Sequence, residues 1–404
     1  MNLVFFALIA AAFAVAAAAE LGGRAGAMEA LSVATIKAAE GAVPLALGLV
    51  GIMALFLGLM KVAEAGGLIA SVARALSPLL GRLFPSVPAG HPALGAMAMN
   101  VSANLLGLGN AATPFGIRAM EQLDGLNPRR HVASNAQVMF LAINTAGVTL
   151  FPTKVVALRA SLGSADPAAV VAPTLFATLV AAVAAVAAAR WLGGRPDAGD
   201  AEAALPAPIG LAGWAPLLAV AAAVPLMVWQ GKVLGPWLIP ALVVGLLGFG
   251  IARRVPVYET FVEGAKEGFA VAVRIIPYLV AILVAVGMLR ASGALDMALA
   301  PLGRLTAVAG LPAEALMMAL MRTLSGSGAY GLLASYLQDP AIGPDSYTGL
   351  LLGTIYGSTE TTFYVIAVYF GAVGIRRIRH ALAAGLIADA AALVAAAAVC
   401  RLLV

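Results

Sequence analysis

Hydrophobic positions in this chain fall in long unbroken blocks, separated by short stretches of Gly, Pro and polar residues. Asn2–Ala19, Val43–Met60, Ala168–Ala189, Trp214–Trp229 and Trp237–Ile251 are apolar runs, close to the roughly twenty residues a helix needs to cross a bilayer. Ala17-Ala18-Ala19 could end a signal peptide, but no basic residues precede the run, so a retained first helix is expected. Met28 to Ala42 is mixed and reads as an interfacial stretch. From Gly66 to Phe84 the pattern turns amphipathic, with Leu68, Val72, Leu76, Leu79, Leu80 and Leu83 near helical spacing and Arg74 and Arg82 between them, as in a helix lying along the membrane surface. Trp214–Trp229 and Trp237–Ile251 read as a hairpin about Gln230-Gly231-Lys232, with tryptophans placed as interfacial anchors.

Other apolar blocks contain polar groups where lipid should forbid them. Asn100, Asn104, Asn110, Thr113 and Pro114 lie in one such stretch; Asn144, Thr145, Gly147, Thr149 and Pro152 interrupt Val138–Val156; and Ser358, Thr359, Glu360, Thr361 and Thr362 form a third. Irregular backbone and polar side chains at membrane depth are tolerated where they line a cavity or an ion path. Broken helices around a shared polar chamber are therefore expected. Glu360 is the sharpest residue, since a carboxylate at mid-bilayer costs about 2.5–3.5 kcal/mol even on lenient insertion scales. It reads as a coupling group or substrate acceptor, against a purely structural ion pair with Arg322. Arg322, just before Ser325-Gly326-Ser327-Gly328, offers a rigid fork of donors to an anionic group, or to the carbonyls of a broken helix. The substrate-binding set expected is thus Asn104, Asn110, Thr113, Asn144, Thr145, Thr149, Arg322, Ser325, Ser358, Thr359, Glu360, Thr361 and Thr362. Asn110 with Asn144, and Thr359 with Glu360, are preferred within it. Lys154 and Arg159, beside Pro152, are harder to dismiss as headgroup anchors than Lys61, Arg74, Arg129 or Arg253.

Composition places the chain in the membrane: of 404 residues 62% are hydrophobic and 11% charged, where soluble domains carry about 25% charged residues. The net charge of +5 then concerns topology and anionic headgroups. No basic stripe with interleaved aromatics suggests nucleic acid. The lone Cys400 excludes an intrachain disulfide, and His91, His131 and His380 are scattered, so neither a structural metal nor another cofactor is expected. No nucleophile with a base is visible, and enzymatic activity is not expected.

The two halves share landmarks in one order. Lys61–Leu68 parallels Arg290–Leu295, Pro78–Leu83 parallels Pro301–Leu305, Asn100–Gly109 parallels Arg322–Gly328, and Asn144–Thr149 parallels Ser358–Phe363. This divides the chain into a first half (1–192), a hydrophilic linker (193–212) and a second half (213–404). Charge placement supports both a parallel and an inverted relation between the halves.

Gly58–Glu64, Leu106–Pro114 and the run from Asn144 resemble spore maturation protein A. Ile276–Val280, Arg290–Asp296, Tyr356–Tyr364 and Val368–Ile375 resemble spore maturation protein B. The chain is accordingly similar to a fusion of the two, each half carrying a nucleoside-recognition gate domain. That domain is also similar to parts of concentrative nucleoside and ferrous iron transporters. Gly357-Ser358-Thr359-Glu360 is similar to the Gly-Gln-Thr-Glu hairpin of nucleoside transporters, with serine in the place of glutamine. The resemblance implies an all-α integral membrane protein of two homologous gate halves with broken or re-entrant helices, in the bacterial cytoplasmic (inner) membrane. It implies a secondary carrier of a small polar solute, driven by a sodium or proton gradient, with a homodimer as the oligomer related folds suggest. The rival expectation is a non-transporting scaffold or receptor assisting envelope or spore maturation.

Overall fold

The computed structural model describes residues 2–107, 109–129, 131–194, 231–295, 297, 306 and 310–403. The expected linker beyond Gly194, the run Trp214–Trp229 and the landmark Pro301–Leu305 lie outside the described residues. Fifteen α-helices are assigned among the described residues, with no strand. Among the described residues, three helical stretches are long and apolar enough to cross a membrane: Ala27–Ala65, Pro167–Gly193 and Ala381–Leu403.

Each half uses the same order of parts. In the first, α1 (Asn2–Leu21) precedes the long α2 (Ala27–Ala65). Next comes the amphipathic α3 (Leu68–Leu83), burying Ile69, Ala73 and Leu80. A helical hairpin follows, α4 (Pro92–Leu105) and α5 (Gly109–Gly125). Then α6 (Asn135–Ala146) and α7 (Thr153–Ser161) form a helix broken at 147–152, and α8 (Val171–Gly193) closes the half. In the second, α9 (Gly231–Ala252) precedes the long α10 (Val257–Ser292). The hairpin is α11 (Ala313–Leu324) and α12 (Gly326–Gln338). The broken helix is α13 (Tyr347–Ser358) with α14 (Thr362–Ala372), and α15 (Ala381–Leu403) ends the chain.

The sequence explains most of these boundaries. Ser134 caps α6 in a reciprocal pair with Gln137, satisfying two backbone donors at once. Gly147 ends the same helix with φ +50°, a conformation glycine adopts without a Cβ clash. Ser325 and Ser346 accept from Gly328 and Gly349 to start α12 and α13. One expectation fails. Met28–Ala42 is not an interfacial stretch but the first part of the 39-residue α2, where Leu31 and Ala42 are buried; its mixed pattern reflects one packed face. Gly231 and Lys232 are helical, while the rest of the expected hairpin, through Gln230, lies outside the described residues.

Corresponding helices of the two halves pack against one another and run in opposite directions. Along α2 and α10, Gly58 meets Phe261 and Gly264, Ala54 meets Gly268, and Ala38 meets Gly287. Residue numbers rise in one helix as they fall in the other. Glycine is required there: a Cβ on Gly264 would lie 2.6 Å from the Leu57 carbonyl oxygen, and one on Gly268 2.6 Å from the Ala54 Cα. Helices α8 and α15 are likewise antiparallel, with Arg379 reaching Gly193 at one end. Their seam is made of small residues, Ala177, Ala181 and Ala185 on α8, and Ala384, Ala388 and Ala392 on α15, all buried, which permits close backbone approach. The halves are therefore an inverted repeat, settling a relation that charge counting leaves open.

The halves are also interleaved. One buried apolar cluster joins Leu49, Phe56 and Val155 to Leu283, Leu333 and Leu352; the other joins Met97, Met120 and Phe140 to Tyr369, Phe370 and Ala384. Between the two clusters lie the hairpin tips and the helix breaks.

Candidate functional site

Both hairpins turn inward and stop at the breaks. The first tip turns through Gly107 (φ +76°), where a Cβ would lie 2.9 Å from the Phe151 carbonyl oxygen; the Leu150 N–H donates to the Leu105 carbonyl at 2.8 Å. The second tip turns at Ser325. There Arg322 Nε donates to the Thr359 carbonyl at 2.7 Å and Nη2 binds the same oxygen. Each half thus joins its own tip to its own break.

The breaks are joined to each other as well. The Glu360 N–H donates to the Thr145 carbonyl at 2.8 Å, and a Cβ on Gly147 would sit 3.0 Å from Glu360 Cγ. A carbonyl that α6 can no longer pair thereby receives a partner from the opposite half.

At this junction lies a cavity of about 630 Å³. Its walls include Asn104, Thr113, Asn144, Thr149, Arg322, Ser325, Glu360 and Thr361 from the expected set. They also include Lys154, Tyr330, Tyr356, Tyr364 and Tyr369, with Met53 and Leu279 from the long helices. Four expected residues do not line it. Thr145 and Ser358 are fully buried, and Ser358 Oγ donates to the Ile355 carbonyl. Thr359 contributes its carbonyl to Arg322, while Thr362 Oγ1 points away and donates to Asp389 Oδ2 at 2.6 Å. The break runs extended from Thr359 to Thr361, and the chain re-enters a helix at Thr362, which turns the Thr362 side chain from the cavity toward α15. Asn110 lies in the first turn of α5, its side chain outside what is described.

Glu360 and Arg322 form an ion pair at 3.3 Å, the Glu360 side chain 43% exposed and that of Arg322 only 9%. Arg322 also lies over the Tyr356 ring at 4.7 Å, and Nη1 reaches Thr361 Oγ1 at 3.4 Å. The guanidinium is thus spent on the break, while the carboxylate reaches into the cavity. On the opposite wall Asn144 Oδ1 accepts from Asn104 Nδ2 at 3.1 Å and from the Tyr369 hydroxyl at 3.3 Å. Asn100 Nδ2 donates to Tyr369 at 3.1 Å and to the Ala112 carbonyl at 2.8 Å. This network ties the first hairpin to both broken helices. The Tyr330 hydroxyl, buried on the cavity wall, has no partner among the described residues. Among those residues, no group of three or more His, Cys, Asp or Glu could hold a metal.

Asn100 stands outside the set expected from sequence, which assigns no role to Tyr369 or Asp389. Asp389 carries the same signal that marked Glu360: it is the single carboxylate of the 23-residue apolar α15. Arg159, buried to 1%, leaves the cavity wall and binds Asp345 at 3.1 Å.

Comparison with known proteins agrees with this architecture. A family model described as nucleoside recognition, Gate, matches residues 46–162 and 272–376, one match in each half. Spore maturation protein A of Bacillus subtilis (strain 168) is 42% identical over 161 residues, 40% of this chain and 82% of that protein. Spore maturation protein B of the same organism is 45% identical over 166 residues, 41% of this chain and 92% of that protein. No solved structure matches the chain. With both halves matched and two relatives covered over most of their length, the chain belongs to the nucleoside-recognition Gate family of membrane proteins, as a fusion of spore maturation protein A-like and B-like halves.

Proposed function

We propose that this protein is a secondary carrier of a small polar solute, bound in the cavity where the two inverted halves meet. The observation that carries this reading is the convergence of two hairpin tips and two helix breaks on one chamber. Secondary transporters use inverted repeats in this way, with discontinuous helices offering amide and carbonyl ends to substrate and ion. The volume of about 630 Å³ falls within the roughly 300–1,000 Å³ of small-molecule sites. Amide groups of Asn104 and Asn144 and hydroxyls of Ser325 and Ser327 supply neutral donors and acceptors. Arg322 and Lys154 outnumber Glu360 on the wall, which suits a neutral or singly anionic solute. The nucleoside-recognition description of the family extends this to nucleoside-sized compounds, although serine at 358 departs from the nucleoside-transporter pattern.

The orientation follows from charge. Among the described residues, the face shared by the end of α2, the opening of the first hairpin and the 373–380 loop carries Arg74, Arg82, Arg129, Arg190, Arg253, Arg254, Arg376, Arg377 and Arg379. The opposite face carries Arg24, Arg159, Arg290 and Arg401. By the positive-inside rule this charge asymmetry supports a cytoplasmic first face, in a reading with the protein in the bacterial inner membrane and the second hairpin opening outward.

The test is uptake into proteoliposomes of radiolabelled uridine, adenosine and a panel of amino acids and monosaccharides, with Glu360→Gln as control. Saturable uptake lost in the variant supports a carrier. No uptake of any compound, with Glu360→Gln leaving cells unaffected, supports the rival scaffold.

A further inference from the structure

Asp389 lies behind the second break, away from the cavity, and on a helix that is otherwise apolar to its last turn. Its Oδ2 accepts from Thr362 Oγ1 at 2.6 Å and from Thr323 Oγ1 at 3.3 Å. Its Oδ1 is buried with no hydrogen-bond partner among the described residues. A second orphan lies close by. Thr145, fully buried, has an unpartnered Oγ1 that lies 3.6 Å from where a Cβ on Gly385 would sit, one turn before Asp389.

Ionisable groups on the packed elements leave this carboxyl little company. Helices α6 and α8 bring Thr145, Thr174 and Thr178 to the seam, and Arg190 of α8 is at the far end beside Arg82. Tyr356 of α13 lies under Arg322, while Tyr364 and Tyr369 of α14 line the cavity. Glu314 is in the first turn of α11. His380, just before α15, and Arg401 within it are nine and twelve residues away, about 14 and 18 Å at helical rise. Arg322 remains as the cation that faces Asp389, and its N–H groups are engaged by Thr359, Thr361 and Glu360.

We propose that Asp389 is the proton-binding site of this protein, the point at which a proton gradient couples to the carrier; the coupling rests on the transport reading above. One proton adds to the orphan Oδ1, giving a neutral carboxylic acid, and the same proton is later released to water; no other bond forms or breaks. Thr362 donates to Oδ2 at 2.6 Å, and the single hydrogen of Thr323, 3.3 Å from Oδ2, has the Ala319 carbonyl as a nearer acceptor at 3.0 Å; the few free oxygens around the carboxyl suit a proton better than a sodium ion, which needs several. Arg322 and Thr323 are neighbours on α11, one holding Glu360 and the other Asp389. The charge on Asp389 therefore sets how firmly Arg322 is drawn toward Thr359 and Glu360. By linkage, a solute that competes for Glu360 changes the proton affinity of Asp389, and the proton changes the solute's affinity by the same factor. Coupling moves from Glu360, where the sequence suggests it, to a carboxyl one layer deeper.

The test needs no solute. Infrared spectra of the purified protein in lipid, recorded across a pH series, report the C=O stretch of protonated carboxyls. A carboxyl band that fades as pH rises, absent from Asp389→Asn and present in Glu360→Gln, is expected. If the wild-type and Asp389→Asn spectra coincide at every pH, or if the Asp389 band persists unchanged to alkaline pH, the group does not exchange a proton and the inference is overturned. Should Asp389→Asn fail to fold, Asp389→Glu serves instead: a displaced, still-titrating band is expected, and an unmoved one refutes. Failure of uptake with a titrating Asp389 would remove the carrier reading while leaving the proton site. Uptake without titration would do the reverse.

Discussion

The backbone N–H of Glu360 donates to the carbonyl of Thr145 at 2.8 Å, so the break in one half of the protein is sewn to the break in the other. Gly147 makes this possible, its φ of +50° turning the chain aside beneath Glu360. Gly147→Ala places a Cβ 3.0 Å from Glu360 Cγ in a conformation that costs a non-glycine residue about 1–2 kcal/mol. A lower melting temperature in detergent is expected, with binding of any transported solute weakened in parallel. An unchanged Tm would show that the breaks are not coupled.

Arg322 holds the second tip to the second break. Arg322→Gln leaves the Thr359 carbonyl and Glu360 without their donor, and a loss of about 1.5–3 kcal/mol is expected, the range for a hydrogen bond to a charged group. Glu360→Gln should cost less, because that side chain keeps 43% exposure and water can solvate what remains. Arg322→Lys should rescue poorly, as a single ammonium cannot reproduce the fork over Tyr356 and Thr359. Denaturant melts of the three variants rank them; equal losses would contradict this assignment.

The crossing of α2 and α10 depends on glycine. Gly264→Leu or Gly268→Leu drives side chains into the Leu57 carbonyl and the Ala54 backbone, and overpacking of this kind costs about 1–3 kcal/mol. Reduced yield of folded protein is expected. Gly245→Leu, which meets nothing within 4 Å, should be tolerated and serves as the control.

Asp345 gives a pH dependence at the face that carries Arg159. Burial pushes its carboxyl up, but hydrogen bonds from Ser164 Oγ and the Ala165 N–H, together with the Arg159 charge, hold it below its ordinary value of 3.8. A carboxyl held lower in the folded state adds stability above its unfolded pKa and loses it as pH falls through the folded one. Asp345→Asn should therefore destabilise at neutral pH, the gap to wild type closing as pH drops below about 3.8. Thermal melts at pH 7 and in strong acid distinguish this from a gap that persists.

Much of this arrangement is legible in the chain because membrane depth makes polar residues expensive. Asn144, Glu360 and Arg322 stand out against apolar neighbours and meet at the cavity. Which side of an extended break a residue faces is not legible: Thr361 lines the cavity while Thr362 turns to Asp389, one residue apart. The inverted relation of the halves stays hidden for a similar reason. Antiparallel packing of α2 on α10 rests on glycines whose partners are over two hundred residues away, and local charge carries no trace of them. Asp389 was readable by the rule that found Glu360, but one carboxylate in an alanine-rich helix lacks the polar neighbours that draw attention.

Solvent access within the chamber can be measured directly. Single cysteines placed at Ser327, Thr113, Ser358 and Thr145, with the buried Cys400 replaced by alanine, are challenged with a water-soluble maleimide in membranes. Modification at Ser327 and Thr113, with Ser358 and Thr145 unreactive, is what a hydrated site between the inverted halves requires. Ser327 and Thr113 as inert as the two buried positions would contradict it.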